Sequence, residues 1–411
     1  MEKAVQNNLD LELAVLRVQE AHARRGMVNA ELFPTLDGSG SATWTRSSRE
    51  TGTGKTNDIY TTGFDAGWEL DVFGGLRRSV EAYDAEVEAS QAGLHDVLVS
   101  LTAEVALNYI EVRTYQSRLE AAQANVELQK ETYQLTVWQD QAGLSDELAT
   151  QEALYSLEST KSQIPVLQSG LEEAMNRVAV LLGEKPGAVH DALTEKKPVP
   201  AIPLSVNIGI PAEVLRRRPD IRQAERELAA QTARVGVATA DLYPKFVLNG
   251  SLVVTGDSLN RMTSNLTTTE NWALSGGPQI RWNLFDAGAI RKNIEIQSVL
   301  QEQALVQYES TVLNAFEEVE NTLTAYAKEQ NRKESLELAA QAAQQAANLA
   351  QQEYQAGWKD FTSVLIAQRS LINLQDELAQ SQGTVTANLV RLYKVLGGGW
   401  PYGAENEKET Y

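Results

Sequence analysis

The segment WELDVFGGLR at residues 68–77 returns as WNLFDAGAIR at residues 282–291. The offset of 214 residues (282 − 68) aligns Trp68 with Trp282, and it holds without an insertion as far as Leu182, which aligns with Leu396. A long match at one fixed offset is the mark of a tandem duplication. The chain is therefore built from two copies of one unit, and its other features are interpreted within that repeat.

The composition excludes several classes of protein. Lys and Arg number 36 against 55 Asp and Glu, a net charge of −19 that is unfavourable for binding nucleic acid or an anionic surface. The absence of cysteine excludes disulfides, thiolate metal sites, a cysteine nucleophile and an acylated N-terminal cysteine in this sequence. No apolar run is long enough for a transmembrane helix, and the first residues lack a secretion signal. The sequence alone predicts either an intracellular protein or a trimmed mature form.

Alternating apolar and polar residues predict four strands, arranged as one hairpin in each copy. In residues 36–44, 60–72, 246–254 and 272–284 the even positions are mostly apolar or glycine, and the odd positions are mostly polar. Strands of about ten residues with aromatic ends are typical of membrane β-barrels. The predicted lipid-facing residues are Trp44, Phe64, Trp68, Phe246, Leu248, Trp272 and Trp282.

Long proline-free stretches predict helices around the strands. Residues 9–30 form an amphipathic helix, and residues 76–140 and 290–355 form helices of roughly 100 Å at 1.5 Å per residue. Apolar residues in residues 94–126 recur every seven positions, which favours helices supercoiled around one another. Each long helix turns at a glycine, Gly143 or Gly357, and is followed by a return helix.

The repeat and the prolines predict the domain organisation. Residues 1–183 form the first repeat, with a helix, a β-hairpin and a long helical hairpin, and residues 220–397 form the second. Six prolines mark residues 184–219 as a connector. Residues 398–411 form a polar tail.

Four strands with free edges are not stable alone in hydrocarbon, because unpaired backbone groups there cost several kcal/mol each. Several copies are therefore expected to combine their strands in a closed barrel and their helices in a tube. The predicted fold class is an α+β membrane channel. The alternative that the pattern leaves open is a soluble coiled-coil protein with a small β domain.

Four motifs resemble one known family. They are LRRRPDIRQAE at 215–225, Ala-x-Leu-aromatic-Pro at 30–34 and 240–244, WNLFDAG at 282–288 and LGGGW at 396–400. Together they are similar to the TolC superfamily, in particular to its OprM-like and NodT-like outer-membrane efflux proteins. The family's export signal and lipid-bearing cysteine are absent here, which is the expectation for a trimmed N-terminus.

The resemblance implies a homotrimer with a twelve-strand barrel in outer-membrane lipid and a helical barrel in the periplasm. It also implies a belt at the connector and C-terminus, and two partners, a periplasmic adaptor and an inner-membrane pump of the resistance-nodulation-division (RND) class. The implied function is a passive exit duct for drugs or other small toxic compounds. The alternatives are a channel for type I protein secretion and a soluble coiled-coil scaffold or adaptor.

The helix turns are the first candidate sites. They resemble the tips on which family adaptors dock, although glycine-capped helix ends alone would explain them. The residues are Ala142, Gly143, Leu144 and Ser145 in the first copy and Ala356, Gly357, Trp358 and Lys359 in the second. Asp146 and Asp360 follow these turns, where they are expected to cap the return helices, to form acidic rings at the periplasmic mouth, or both.

Ile366 is the second candidate. Relatives commonly carry an aspartate nine residues after the glycine that corresponds to Gly357, and this aspartate narrows the aperture. Isoleucine at that position predicts a hydrophobic gate that closes by dewetting, with ordinary core packing as the alternative.

No catalytic, metal or cofactor site is predicted. The segment GTGKT at 52–56 resembles a phosphate-binding loop, but Arg49 occupies the position of its required first glycine. His22, His95 and His190 are scattered, without the spacing of a zinc site or a hydrolytic triad. The arginines at 216–218 are expected to start a helix and pair subunits rather than bind anions.

Overall fold

The computed structural model describes residues 1–200, 217–258 and 272–398. Within these ranges none of the helices has the length and apolar content needed to cross a membrane. In chain order the elements are α1 (Glu2–Asn7), α2 (Leu9–Ala30), β1 (Thr35–Arg46), β2 (Thr56–Leu70), α3 (Gly75–Gln141), α4 (Glu147–Leu181), α5 (His190–Thr194), α6 (Pro219–Ala240), β3 (Lys245–Gly256), β4 (Trp272–Arg281), α7 (Ala289–Gln355) and α8 (Phe361–Val395).

The duplication appears directly in the lengths of these elements. Helices α3 and α7 each have 67 residues, and α4 and α8 each have 35. Helices α2 and α6 each have 22 residues, and β1 and β3 each have 12. Strands β2 and β4 differ, with 15 and 10 residues, so the predicted repeat is matched most closely in these helices and in the first strand of each hairpin.

The four strands form one antiparallel sheet in the order β1-β2-β3-β4. Each predicted hairpin is present, and β2 of the first copy pairs with β3 of the second. Strands β1 and β4 are the edges of this sheet and have no further partner strand among the described residues.

The chain divides into two compact units. The first contains residues 1–15, 93–222 and 311–411, and the second contains residues 16–92 and 223–310. In the first unit, the apolar residues predicted to recur every seven positions form the buried face of α3. Val105, Val112, Leu119 and Val126 are all buried. The second unit contains the sheet, and its helices bury mainly alanines, such as Ala82 and Ala233. Small side chains allow helix backbones to approach closely.

The strand ends differ from the prediction. Strand β2 stops at Leu70 rather than at residue 72, and β4 stops at Arg281 rather than at residue 284. In both places an aspartate accepts hydrogen bonds from backbone N–H groups at the start of the next helix. Asp71 accepts from Leu76 and Arg77, and Asp286 accepts from Ile290 and from Gly288, the residue just before the helix. Side-chain alternation continues for a few residues after the backbone has left the sheet.

Two predicted segments are only partly described. Residues 201–216 of the connector, and with them Arg216, lie outside the described residues, as does the tail after Gly398. Helices α1 and α5 are short elements that the sequence pattern did not predict. Asn8 stabilises the first of them, because its amide donates to the carbonyl of Leu181 at 3.1 Å.

Candidate functional site

The sheet has one apolar and one polar face. Residues that are opposite each other in an antiparallel sheet project from the same face. Phe64 is opposite Leu252, which in turn is opposite Leu274, and even positions are paired with even positions throughout. The even-numbered apolar residues of all four strands therefore form one continuous surface.

Six of the predicted lipid-facing residues lie on that apolar surface: Trp44, Phe64, Trp68, Phe246, Leu248 and Trp272. Trp282 lies one residue beyond the end of β4. Phe246 is half-buried and its ring is 6.3 Å from that of Phe73, whereas the others are exposed. An exposed apolar area of this extent marks a surface that meets another apolar phase.

The opposite face is suited to water. Asp37 is opposite Asp65, Asp65 is opposite Ser251, and Ser251 is opposite Ser275. Two carboxylates directly opposite each other repel, so this arrangement is tolerable only where solvent screens the charges. The two faces of the sheet are therefore suited to different environments, one apolar and one hydrated.

The two tryptophans of the repeated motif have the same partner in each copy. The indole N–H of Trp68 donates to the carbonyl of Leu32 at 2.9 Å, and that of Trp282 donates to the carbonyl of Leu242 at 3.1 Å. Each bond ties the end of a hairpin to the chain just before its first strand. The indole keeps its polar atom satisfied while its ring remains available to an apolar phase.

The helix turns also have equal geometry. Leu144 N–H donates to Gln139 O at 2.8 Å, and Trp358 N–H donates to Glu353 O at 2.9 Å. The backbone angle φ is +71° at Gly143 and +76° at Gly357. This pattern is a Schellman motif, in which glycine adopts the left-handed conformation that ends the helix. We name residues 142–145 and 356–359 the helix tips.

The apolar residues of the helix tips lie on the surface. A hydrophobic residue just after the glycine of a Schellman motif frequently packs back on its own helix. Here Leu144 is 79% exposed and Trp358 is 81% exposed. Lys359 forms an ion pair with Glu353 at 2.9 Å. Each tip therefore presents a large apolar side chain to its surroundings.

Asp146 and Asp360 cap the return helices. Asp146 accepts a hydrogen bond from Ala149 N–H at 3.0 Å, and Asp360 accepts from the Ser363 hydroxyl at 2.6 Å and from Ser363 N–H at 3.1 Å. These two hydrogen bonds hold the pKa of Asp360 below its usual value, and the bond from the Ser363 hydroxyl has the larger effect. The Asp360 carboxylate is therefore ionised at neutral pH.

A small core joins the two helical hairpins behind the tips. It contains Ala149 and Ala153 of α4, together with Phe361 and Val364 of α8. The hydroxyl of Tyr354 lies 2.5 Å from Gln139 Oε1, which links α7 to α3. The helix tips of both repeats are therefore held close together within one chain. Ile366 is 63% exposed and lies on the solvent side of α8, so it does not contribute to the core of this chain.

Comparison with known proteins identifies the family. The family model for outer membrane efflux proteins matches residues 1–184 and 210–398. The chain belongs to the outer membrane efflux protein family. It is 32% identical over 401 residues to nodulation protein T of Rhizobium leguminosarum bv. trifolii, covering 96% of this chain and 83% of that protein.

Two further relatives support the same family assignment. The cation efflux system protein CusC of Escherichia coli O6:H1 is 29% identical over 398 residues, covering 97% of this chain and 85% of CusC. The solved structure of the outer-membrane channel OprN superposes with a TM-score of 0.91 at 38% identity, covering 97% of this chain and 89% of OprN. The predicted fold family and outer-membrane location are confirmed, and the soluble scaffold is ruled out.

In this efflux protein one residue of the predicted arginine cluster, Arg218, has a structural role. Arg218 is 8% exposed and binds Asp220 and Glu318, each at 2.7 Å, and also the carbonyl of Val395 at 3.1 Å. Proline at 219 opens α6, which suits a first helical position. Arg218 thus fastens the start of α6 to α7 and to the end of α8, as the helix-start prediction requires.

Removal of Arg218 is expected to destabilise this efflux protein strongly. Arg218→Ala leaves a buried carbonyl without its donor and removes the charged hydrogen bonds to Asp220 and Glu318, whose carboxylates are themselves partly exposed, which is expected to cost about 1.5–3 kcal/mol. Arg24→Ala removes an exposed pair with Glu20 and is expected to cost about 0.5 kcal/mol or less. Thermal unfolding of the two variants measures the difference. Equal transition temperatures would show that the Arg218 cluster contributes nothing to stability.

Sequence reasoning missed several of these residues. The indole bonds of Trp68 and Trp282, the helix caps Asp71 and Asp286, and the Tyr354 bond to Gln139 were not predicted. For the tryptophans a signal was present, because Leu32 and Leu242 belong to the other repeated motif. Two motifs that return together are candidates for contact.

Proposed function

We propose that three copies of this chain form the outer-membrane exit duct of a tripartite efflux pump. The observation that carries the proposal is the two-faced sheet with two free edges. Strands β1 and β4 leave a row of backbone N–H and C=O groups unpaired on each side of the sheet. In hydrocarbon each such group costs several kcal/mol, and only a closed barrel removes the cost.

Closure requires β4 of one copy to pair with β1 of the next. Three copies of four strands give a barrel of twelve, and the number three comes from the resemblance to the TolC superfamily. In such a barrel the face with Trp44 and Phe64 contacts lipid, and the face with Asp37 and Asp65 lines the water-filled interior. The proposed trimer thereby places each face in the solvent that its side chains require.

The helix tips are the proposed contact with a periplasmic adaptor, which in turn contacts an inner-membrane pump of the RND class. Trp358 carries this proposal, because an exposed tryptophan on a rigid turn is a typical anchor of a protein interface, and the exposed Leu144 adds apolar surface at the equivalent turn. Tryptophan is enriched among residues that dominate binding energy. The fixed glycine turns present both side chains without a further cost in backbone entropy.

Truncation of Trp358 is expected to weaken adaptor binding without unfolding the protein. Trp358→Ala removes a side chain that makes little contact within the chain, so thermal stability should change by less than about 0.5 kcal/mol. The affinity for the cognate adaptor should fall about thirtyfold or more, the usual loss at an interface anchor. Surface plasmon resonance with the immobilised adaptor measures the loss.

Tyr155→Ala is the matched control, because Tyr155 is an exposed aromatic residue on α4, about 12 Å along the helix from its first residue, Glu147. Adaptor affinity should be unchanged in this control. If Trp358→Ala and Leu144→Ala both bind the adaptor as the wild type does, the tips are not the docking site.

Asp146, Asp360 and Ile366 are proposed to line the periplasmic mouth of the trimer. Two capping carboxylates per chain give rings of negative charge where the copies meet, which would attract cations. Ile366, on the exposed side of α8, would narrow the opening as an apolar ring.

The proposed cargo is a small molecule. Relatives of this chain are named for nodulation, for cation efflux and for the efflux of solvents and toluene. The names that mention cations, solvents and toluene differ in cargo and agree in efflux, which favours efflux over type I protein secretion. Deletion of the gene distinguishes the two, since loss of an efflux duct should produce sensitivity to small toxic compounds. Loss of a secreted protein with unchanged sensitivity would support type I secretion instead.

A further inference from the structure

The loop between β1 and β2 forms the end of the first hairpin that is remote from the helices. It contains GTGKT, the segment that resembles a phosphate-binding loop. Ser47 N–H donates to the carbonyl of Lys55 at 3.1 Å, which closes the loop, and Gly54 has φ of +68°. The loop joins two strands, so it lacks the helix N-terminus on which a nucleotide-binding loop depends.

The fold of this loop brings basic side chains together. A Cβ atom added at Gly54 would lie 2.7 Å from Cγ of Arg49, so the stem of Arg49 crosses the bare glycine backbone next to Lys55. Arg46 is opposite Thr56, the residue that follows Lys55. Three cationic residues that are separated in sequence therefore lie around one end of the hairpin.

Arg46 also belongs to the apolar face of the sheet. It lies two residues beyond Trp44 on β1, at an even position, so both side chains project from the same face. Two residues of a strand span about 7 Å. Trp44 is exposed, and an indole followed by a guanidinium is the order in which side chains meet the edge of a bilayer, first apolar and then charged.

The cluster is positive in a strongly acidic chain. Residues 46–56 contain Arg46, Arg49 and Lys55 against one carboxylate, Glu50, whereas the whole chain has a net charge of −19. All three basic residues are exposed. Within the described part of the chain, none of the three forms an ion pair with a carboxylate. Asp58, which is opposite Trp44 on the neighbouring strand, is also not paired with them. As far as the described residues go, no carboxylate neutralises these charges, which can therefore meet an external anion.

We propose that Arg46, Arg49 and Lys55 bind the phosphate groups of anionic lipids at the outer edge of the membrane. This inference rests on the proposed outer-membrane barrel, which places Trp44 at the lipid boundary. Guanidinium groups bind phosphate through two parallel hydrogen bonds, and lysine adds a compact charge. Hydroxyl groups of the same loop, such as those of Ser48 and Thr53, are further donors.

The test compares lipid retention by two variants of equal charge. The assembled protein is reconstituted in vesicles of phosphatidylcholine with a minor fraction of phosphatidylglycerol, extracted in mild detergent, and its bound lipids are counted by mass spectrometry. The variant Arg46→Gln/Arg49→Gln/Lys55→Gln is expected to lose the enrichment of phosphatidylglycerol about tenfold or more. The control Lys130→Gln/Lys161→Gln/Lys333→Gln removes three charges from helices and should keep it.

The outcomes separate this inference from the proposed function. Equal enrichment in wild type and loop variant, with both in the vesicles, overturns the lipid site alone. Failure of the wild type to float with vesicles overturns the barrel on which the site rests. If the triple variant does not assemble, Arg46→Gln and Lys55→Gln are measured singly, and a partial loss in each supports the site while no loss in either contradicts it.

Discussion

Leu274→Arg is expected to prevent assembly in the outer membrane, whereas Ser275→Arg is expected to be tolerated. Leu274 is 83% exposed and lies in the row of Phe64 and Leu252, near the middle of the apolar face. An arginine at the middle of a bilayer costs a β-barrel about 2–4 kcal/mol. Three copies repeat that cost, so the trimer would lose roughly three times as much.

Ser275 is the neighbouring residue of the same strand and projects from the polar face. Arginine there would lie in water, in the same row as Ser251 and Asp65, so its charge remains solvated. Membrane fractionation and heat-modifiable gel mobility measure assembly of both variants. If Leu274→Arg assembles as well as Ser275→Arg, the face with Leu274 does not contact lipid.

Ile366→Ser is expected to raise the single-channel conductance of the closed duct on the order of tenfold. Three isoleucine side chains around an axis exclude water from a narrow opening, and ions do not pass a dry constriction. Serine is smaller and retains water. Ile366 is exposed and makes no contribution to the core of the chain, so the substitution should leave stability unchanged.

Val166→Ser is the control for the gate, since Val166 is also an exposed β-branched residue, on α4. Its conductance should equal that of the wild type in planar lipid bilayers. If the conductance of Ile366→Ser equals that of the wild type, the proposed hydrophobic gate is excluded. The rings of Asp146 and Asp360 would then be the candidates for the narrowest point.

Much of the fold was predictable because the sequence contains two copies of the same unit. Two copies at one offset predicted equal helices, and the seven-residue spacing of Val105, Val112 and Leu119 predicted the buried face of α3. Alternation predicted four strands and their apolar face. These signals are periodic, and a periodic pattern can be recognised in a sequence without knowledge of its tertiary contacts.

Other features depend on contacts between distant residues. The pairing of Arg218 with Glu318, and of Trp68 with the Leu32 carbonyl, joins parts of the chain that no local pattern relates. The ends of β2 and β4 were predicted too late, because Asp71 and Asp286 cap the next helix while side-chain alternation still continues. Periodicity describes side chains, whereas strand ends are decided by backbone hydrogen bonds.

The most direct test is the mass of the natively exported protein, extracted from outer membranes in detergent and measured by light scattering with correction for bound detergent. The proposed duct predicts three chains of the sequenced 45.1 kDa segment, with any native addition, and precipitation when detergent is removed. A monomer or dimer that stays dissolved in plain buffer would contradict it, because the apolar face and the free strand edges would then be exposed to water.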